Sequence, residues 1–459
     1  MNEKRQKTQL QLAFRDGGRD ESPNTVLEGT EPLLAKDKAE SPAKTDKLME
    51  EILDPGNLRE ALKRVKANKG SAGIDRITVE VMSDYLKEHW PEIRGQLLKG
   101  TYKPQPVLRV EIPKPDGGVR KLGIPVVVDR FLQQAVMQVL QDKWDPTFSE
   151  HSYGFRPNRR AQQGVAKAQE YIAEGNTWVV DLDLEKFFDL VNHDKLMGLV
   201  AKRITDKRVL KLIRAFLKAG VMEKGLVSAI DEGTPQGGPL SPLLSNIVLD
   251  ELDRELDRRG HRFVRYADDC NIYVRSQRAG ERVMDSITRF ITMKLKLKVN
   301  REKSAVGRPW ERKFLGFSFT AKEPLRRRIA PKSMVRFKNR VREITRRTRG
   351  VSLQRMVDDL NVYLRGWYGY FGFCQTPSVL ADLDSWIRHR LRCMIWKQWK
   401  VCRKRYTELC RRGVNELLAG FTAGSSHGPW RISQSPAMCI AFPNVFFDGI
   451  GLFRLGVSR

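Results

Sequence analysis

The stretch Arg262–Val274, RFVRYADDCNIYV, sets two β-rich runs, Phe263–Tyr266 and Asn271–Val274, on either side of a short polar turn. The pattern predicts a β-hairpin with Asp268 and Asp269 at its tip. Two adjacent carboxylates repel each other there, so the arrangement is costly unless a cation neutralises them. Carboxylates that hold Mg2+ in this way serve phosphoryl transfer, whereas an isolated Asp-Asp pair is a surface Asx turn. A second acidic point lies upstream, where TWVVDLDLEKFFDLVNHDKL reads as an apolar strand running into a helix, with Asp181 and Asp183 at the strand's end. Catalytic groups commonly sit where a buried strand opens onto the surface of a mixed layer. Taken singly, Asp183 is an N-cap for the helix EKFFDLV.

The segments around these acids alternate in type. Apolar positions from Asp46 to Asn68 recur at helical spacing, interrupted at Pro55-Gly56, and a second helix is predicted over Val79–Leu98 after the loop NKGSAGIDRIT. Between Tyr102 and Pro125 strand residues flank Asp116-Gly117-Gly118, which predicts a hairpin studded with Lys114, Arg120 and Lys121. Helices are expected over Arg130–Trp144, up to about Ala173, and after the loop EGTPQGGPLSP. Beyond Pro324 the chain becomes strongly basic, and three helices are drawn at 332–347, 353–371 and 377–400. The tail from Gly413 shows no clear period and is expected to hold little regular structure. Helices and hairpins together predict an α+β body with an antiparallel sheet.

Composition narrows the class. Of 459 residues, 83 are Lys or Arg and 55 Asp or Glu, a net charge of +28. Such a chain needs a polyanion as partner, and RNA, DNA or an anionic membrane face qualify. No apolar run is long enough to span a bilayer, and the N-terminus lacks the pattern of a signal or transit peptide. The expectation is a soluble, cytoplasmic, bacterial protein with no membrane partner. Six cysteines without a C-x-x-C pair indicate neither a zinc ribbon nor a disulfide framework.

Taken in order, KPDGGVRKLGIP, DLDLEKFFD, TPQGGPLSP, YADD and KFLGF resemble the sequence blocks of reverse transcriptases. NKGSAGIDRIT and the later LNVYLRGWYGYFG, in its basic surroundings, narrow the resemblance to proteins encoded by group II introns, over residues 46 to 412. It implies a right-hand polymerase fold, with fingers and an antiparallel palm over 46–324 (a helical extension at 46–100), a helical thumb and maturase domain over 325–412, a flexible arm at 1–45 and a tail at 413–459. It also implies two Mg2+ ions held by Asp183, Asp268 and Asp269 with the backbone carbonyl of Leu184, Asp181 ranking behind Asp183. Lys114 and Arg120 would reach the triphosphate of a dNTP, although singly both read as solvated hairpin charges. Phe188 matches the aromatic that packs under the sugar and would clash with a 2′-hydroxyl, while Phe187 serves the core. Gln236 lies in a glycine loop close to the nucleotide. Lys303 is a candidate proton donor to departing pyrophosphate, or a surface lysine.

The implied partners are the group II intron RNA, an RNA template with DNA primer, dNTPs and target DNA, with Arg336, Lys338, Arg340, Arg346, Arg347 and Arg349 as RNA contacts. The oligomeric state is not legible. GWYGYFG reads as helix core before it reads as a stacking platform. The chain departs from longer members at its C-terminus, where no paired cysteines occur and His427 is the last histidine; second-strand cleavage is not expected. Two other readings stay open: an RNA-binding splicing cofactor with a vestigial polymerase, and a reverse transcriptase of a defence or diversity-generating system.

Overall fold

The computed structural model describes residues 46–113, 118–223, 226–228, 232–233 and 237–456. The arm at 1–45, Lys114, the hairpin apex at Asp116 and Gln236 lie outside them. The chain divides into two compact units. Among the described residues the first runs over 46–160, 180–272 and 278–305, and the second over 161–179, 273–277 and 306–456. The second unit takes in the chain from Val306 and also the helix Ala161–Ala173.

The first unit begins with helices Leu48–Ile52 and Pro55–Ala67. The second starts where the sequence breaks: Asp54 accepts hydrogen bonds from Gly56 N (2.7 Å) and Asn57 N (3.1 Å), and Pro55 occupies the first turn, where no donor is needed. Helix Met82–Lys99 follows. Strands β1 (Val107–Pro113) and β2 (Val119–Ile124) form the expected antiparallel hairpin, in register from Leu108 opposite Ile124 to Pro113 opposite Val119. Its sheet is not wholly antiparallel: β1 also pairs in parallel with β4 (Val221–Glu223), which turns back into β5 (Leu226–Ser228). Two helices, Val127–Trp144 and Ser241–Arg258, are buried over most of their length and fill this unit's core.

A second four-stranded sheet has the order β6-β7-β3-β8, with β3 Trp178–Leu182, β6 Arg262–Tyr266, β7 Asp269–Val274 and β8 Ala305–Gly307. Strands β6 and β7 are the hairpin read from RFVRYADDCNIYV. Apart from short β9 (Phe317–Phe319) and β10 (Arg327–Ile329), the remaining chain is helical. Helices Pro331–Ile344, Leu353–Phe371 and Pro377–Gln398 match the three expected ones and bury Phe337, Leu360, Trp367 and Leu391 among them. Trp367 of GWYGYFG is thus in the core.

The tail corrects the sequence reading. It folds into helices Glu416–Ala423, Pro429–Ile432, Pro436–Ala441 and Asn444–Gly449. Each is too short for a 3.6-residue period to register. What makes them is capping, with Asn415 accepting from Leu417 N, and burial of Met438, Phe442 and Phe447 in the core shared with the preceding helices. Among the described residues no helix is long and apolar enough to cross a membrane.

Candidate active site

Strand β3 ends at Leu182, and the chain stays extended for a few residues because the segment 298–300 pairs with it: Glu185 N donates to Lys298 O (2.8 Å) and Asn300 N to Asp183 O (2.8 Å). Asp183 is held further by its own N–H, which donates to Ser304 Oγ (3.0 Å). Carbonyl directions alternate along extended backbone, so with the Asp183 carbonyl committed to Asn300, that of Leu184 faces the opposite side. Lys186 then adopts a left-handed φ of 44° and opens the short helix Phe187–Leu190. Phe187 is buried, and Phe188, its ring edge-on at 5.3 Å, is left half-buried.

The tip of the β6–β7 hairpin brings Asp268 to this strand exit. The Asp268 carboxyl is pushed above the usual aspartate range, first by burial and then by the negative charge of Asp183; a backbone hydrogen bond, and after it Arg120 and Lys303, oppose the shift. Asp183 Oδ2 is buried and accepts no hydrogen bond, and the Lys303 ammonium stands 3.4 Å from it. Lys303 is aimed by an Asx turn, since Asn300 Oδ1 accepts from Glu302 N (3.2 Å) and Lys303 N (3.3 Å). Asp269 is exposed at the start of β7. Its charge also bears on the buried Cys270 thiol, as does that of Asp181; burial first, and then Asp253 and these two acids, push that thiol up, and Arg265 opposes them.

The structure thus gathers Asp183, Asp268, Lys303 and Arg120. Among the described residues no three His, Cys, Asp or Glu side chains stand together to hold one ion. The pair fits a divalent cation nonetheless: a buried carboxylate oxygen answered by the exposed Lys303 ammonium, beside a second carboxylate of like charge, is the donor set that a hard cation takes.

Asp268 also lines a cleft of about 630 Å³ whose walls include Arg120, Arg130, Phe155, Phe188 and Gly237. Gly237, at φ 134°, lies so close to β2 that a Cβ there would stand 2.5 Å from the Gly123 carbonyl. Arg130 and Phe155 escaped the sequence reading. Arg130 donates to the Ser71 carbonyl (2.6 Å) and so ties the NKGSAGIDRIT loop to the cleft wall. A signal for Phe155 exists only in three dimensions, because its φ of 57° is unusual for a bulky residue.

In the second unit the six basic residues expected to meet RNA lie on or just after helix Pro331–Ile344, and all but half-buried Lys338 are exposed. Two are partly neutralised: Arg340 pairs with Glu343 and Arg349 with Asp359, each at 2.7 Å. Lys338 lies over the Trp386 ring at 5.9 Å.

Comparison with known proteins agrees with this layout. The family described as reverse transcriptase (RNA-dependent DNA polymerase) matches residues 112–319, and the maturase-specific domain of group II introns matches residues 334–413. Protein YkfC of Escherichia coli (strain K12) is 38% identical over 219 residues, 46% of this chain and 58% of its own. The group II intron-encoded protein LtrA of Lactococcus lactis subsp. cremoris is 37% identical over 204 residues, 44% of this chain and 34% of its own. A putative COX1/OXI3 intron 2 protein of Saccharomyces cerevisiae is 33% identical over 203 residues, 43% of this chain and 23% of its own. The matches therefore span less than two thirds of each relative. The fold is α+β, with the fingers and palm of a right-hand polymerase followed by a helical maturase region. The chain belongs to the group II intron reverse transcriptase and maturase family.

Proposed function

We propose that the protein is an RNA-directed DNA polymerase that copies RNA into DNA by two-metal nucleotidyl transfer, and that it binds its intron RNA to assist splicing and retrohoming. The observation that carries the proposal is the pairing of Asp183 with Asp268, which lines a cleft together with Phe188 and Arg120. Reverse transcriptases use a divalent metal, typically Mg2+. Asp183 and Asp268, with Asp269 and the Leu184 carbonyl, would hold it. When bound, such ions activate the primer 3′-hydroxyl and neutralise charge developing on the phosphates.

The remaining work falls to the chain's own groups. Arg120, on the cleft wall, offers a planar fork of donors for triphosphate oxygens, and Lys114 would join it there. Phe188 sits where a ring under the sugar would exclude a 2′-hydroxyl. Lys303 carries a proton beside Asp183 and can return it to pyrophosphate as that group leaves. Gln236, next to Gly237 in the sequence, would contact the nucleotide. In the second unit, Arg336, Lys338, Arg340, Arg346, Arg347 and Arg349 present the positive face for RNA, with target DNA as a further partner.

Extension of a DNA primer on an RNA template with dNTPs and Mg2+ tests the polymerase, and absence of product from the unaltered protein overturns it. Splicing of the flanking intron at low Mg2+, with and without protein, tests the maturase role separately. Equal rates overturn that half.

A further inference from the structure

We propose that Arg265, buried beneath the acidic turn with Asp253, Asn246 and Ser152, is a positioning residue that sets the orientation of Asp268 for metal. The inference rests on the reading of Asp268 as a metal ligand.

Arg265 lies on β6, two residues before the turn, and is fully buried, as is its ion-pair partner Asp253. Its guanidinium has five N–H donors, and the fold supplies an acceptor for each. Nε and Nη2 donate to the two oxygens of Asp253, at 2.7 and 2.5 Å. Nη1 donates to Asn246 Oδ1 and to the Ala267 carbonyl, both at 3.0 Å, and Nη2 to Ser152 Oγ at 2.8 Å. The acceptors come from helix Ser241–Arg258, from the loop around Ser152 and from the turn itself.

The bond to the Ala267 carbonyl makes this more than a core ion pair. Ala267 has φ 57°, a left-handed conformation uncommon for a residue with a Cβ. Its carbonyl belongs to the peptide plane that carries the Asp268 nitrogen, so fixing that oxygen fixes the direction in which Asp268 leaves the backbone. The opposite side of the turn is fixed as well. Asn246 Nδ2 donates to the Gly154 carbonyl (2.9 Å), and Gly154 lies so close to the turn that a Cβ would stand 2.3 Å from Ala267 N. The backbone of 151–153 also pairs with Arg265, with Tyr153 N donating to Arg265 O (2.8 Å) and Arg265 N to His151 O (2.9 Å).

Burying a charged pair sacrifices hydration that apolar side chains of similar volume would not, so stability alone does not favour it. A saturated network that terminates on one turn carbonyl instead restricts the turn to a single geometry, as groups behind metal ligands do.

The test uses Asn246→Ala and Ser152→Ala, which each remove one neutral partner and keep the ion pair intact. Mn2+ binding to the full-length protein without nucleic acid, followed by electron paramagnetic resonance of the free ion, is read beside thermal melting and the Mg2+ dependence of primer extension. The expected result is Mn2+ affinity about tenfold weaker in Asn246→Ala, as for other groups that orient metal ligands, with a smaller shift in Ser152→Ala and with extension recovered at high Mg2+. Variants that melt as the parent does but bind Mn2+ with unchanged affinity overturn the proposal. So does a loss of extension that is equal at every Mg2+ concentration. Should the unaltered protein bind Mn2+ no better than Asp268→Ala, the assignment of Asp268 as a ligand fails instead, which is a distinguishable outcome.

Discussion

Two aspartates of the first unit meet the same force and reach different ends. Burial raises the Asp129 carboxyl to about 7 even though the Tyr102 hydroxyl donates to Oδ1 (2.8 Å) and Gln105 N to Oδ2 (2.9 Å), both of which pull it down. Burial also pushes Asp268 up, and there the Asp183 charge pushes further in the same direction. A backbone hydrogen bond opposes that rise first, and after it the cations Arg120 and Lys303, both exposed side chains. Both Asp129 oxygens meet donors within the fold, whereas Asp268 stands beside another acid. A carboxylate of the first kind holds structure together; one of the second kind waits for a cation from outside.

The sharpest way to break this contrast is to delete each acid. Asp268→Ala should lower primer extension on the order of 10³-fold, since the loss of a metal ligand removes several kcal/mol of transition-state stabilisation. Retained synthesis would refute the assignment. On stability the order reverses. In chelator-treated protein Asp268→Ala should melt no lower than the parent, because it relieves like-charge repulsion with Asp183. Asp129→Ala strands the Tyr102 hydroxyl and the Gln105 N–H and should cost about 3 kcal/mol in denaturant unfolding. If the Asp268 variant were the less stable of the two without metal, the acids would not differ in kind.

Phe188→Ala sharpens the comparison from the ligand side. Its ring lines the cleft beside Asp268, while Phe187 packs inward. Single-turnover rates should show ribonucleotide use rising on the order of 10- to 100-fold relative to the matching deoxynucleotide. Unchanged discrimination would return Phe188 to the core.

Much of this geometry could be read from sequence where the signal is local. The β6–β7 hairpin shows as alternation around a polar turn, the Asp183 exit as an apolar strand that stops, and the helix over Pro377–Gln398 as one apolar face. What could not be read depends on partners far along the chain. Ser304 and Asn300 position Asp183 and Lys303 from more than 100 residues beyond β3. Arg265 looks like any charged strand residue until Ser152, 113 residues earlier, is found beside it. The parallel pairing of β1 with β4 has no local pattern at all. The tail helices were hidden for another reason, since one or two turns give no periodicity and their burial is decided by the helices they meet.

The smallest expected effect probes Asp129 through its donor, and its sign follows from linkage. An aspartate in the unfolded chain releases its proton at about pH 4, whereas folded Asp129 keeps its proton up to about 7. Between those values the unfolded state binds fewer protons, so this group makes stability fall as pH rises and level off above 7. Tyr102→Phe removes a hydrogen bond that is charge-assisted only while Asp129 is ionised. Above pH 7 its loss should cost about 2 kcal/mol, the range for a bond to a charged group, and below pH 6 about 1 kcal/mol, the range for a neutral one. The variant's melting temperature should therefore separate from that of the parent as pH rises. A gap that stayed constant between pH 5.5 and 8.5 would mean that Asp129 does not titrate in this window. Burial would then act on it no differently than on an ordinary core acid whose charge the fold has fully accommodated, and the contrast with Asp268 would rest on Asp183 alone.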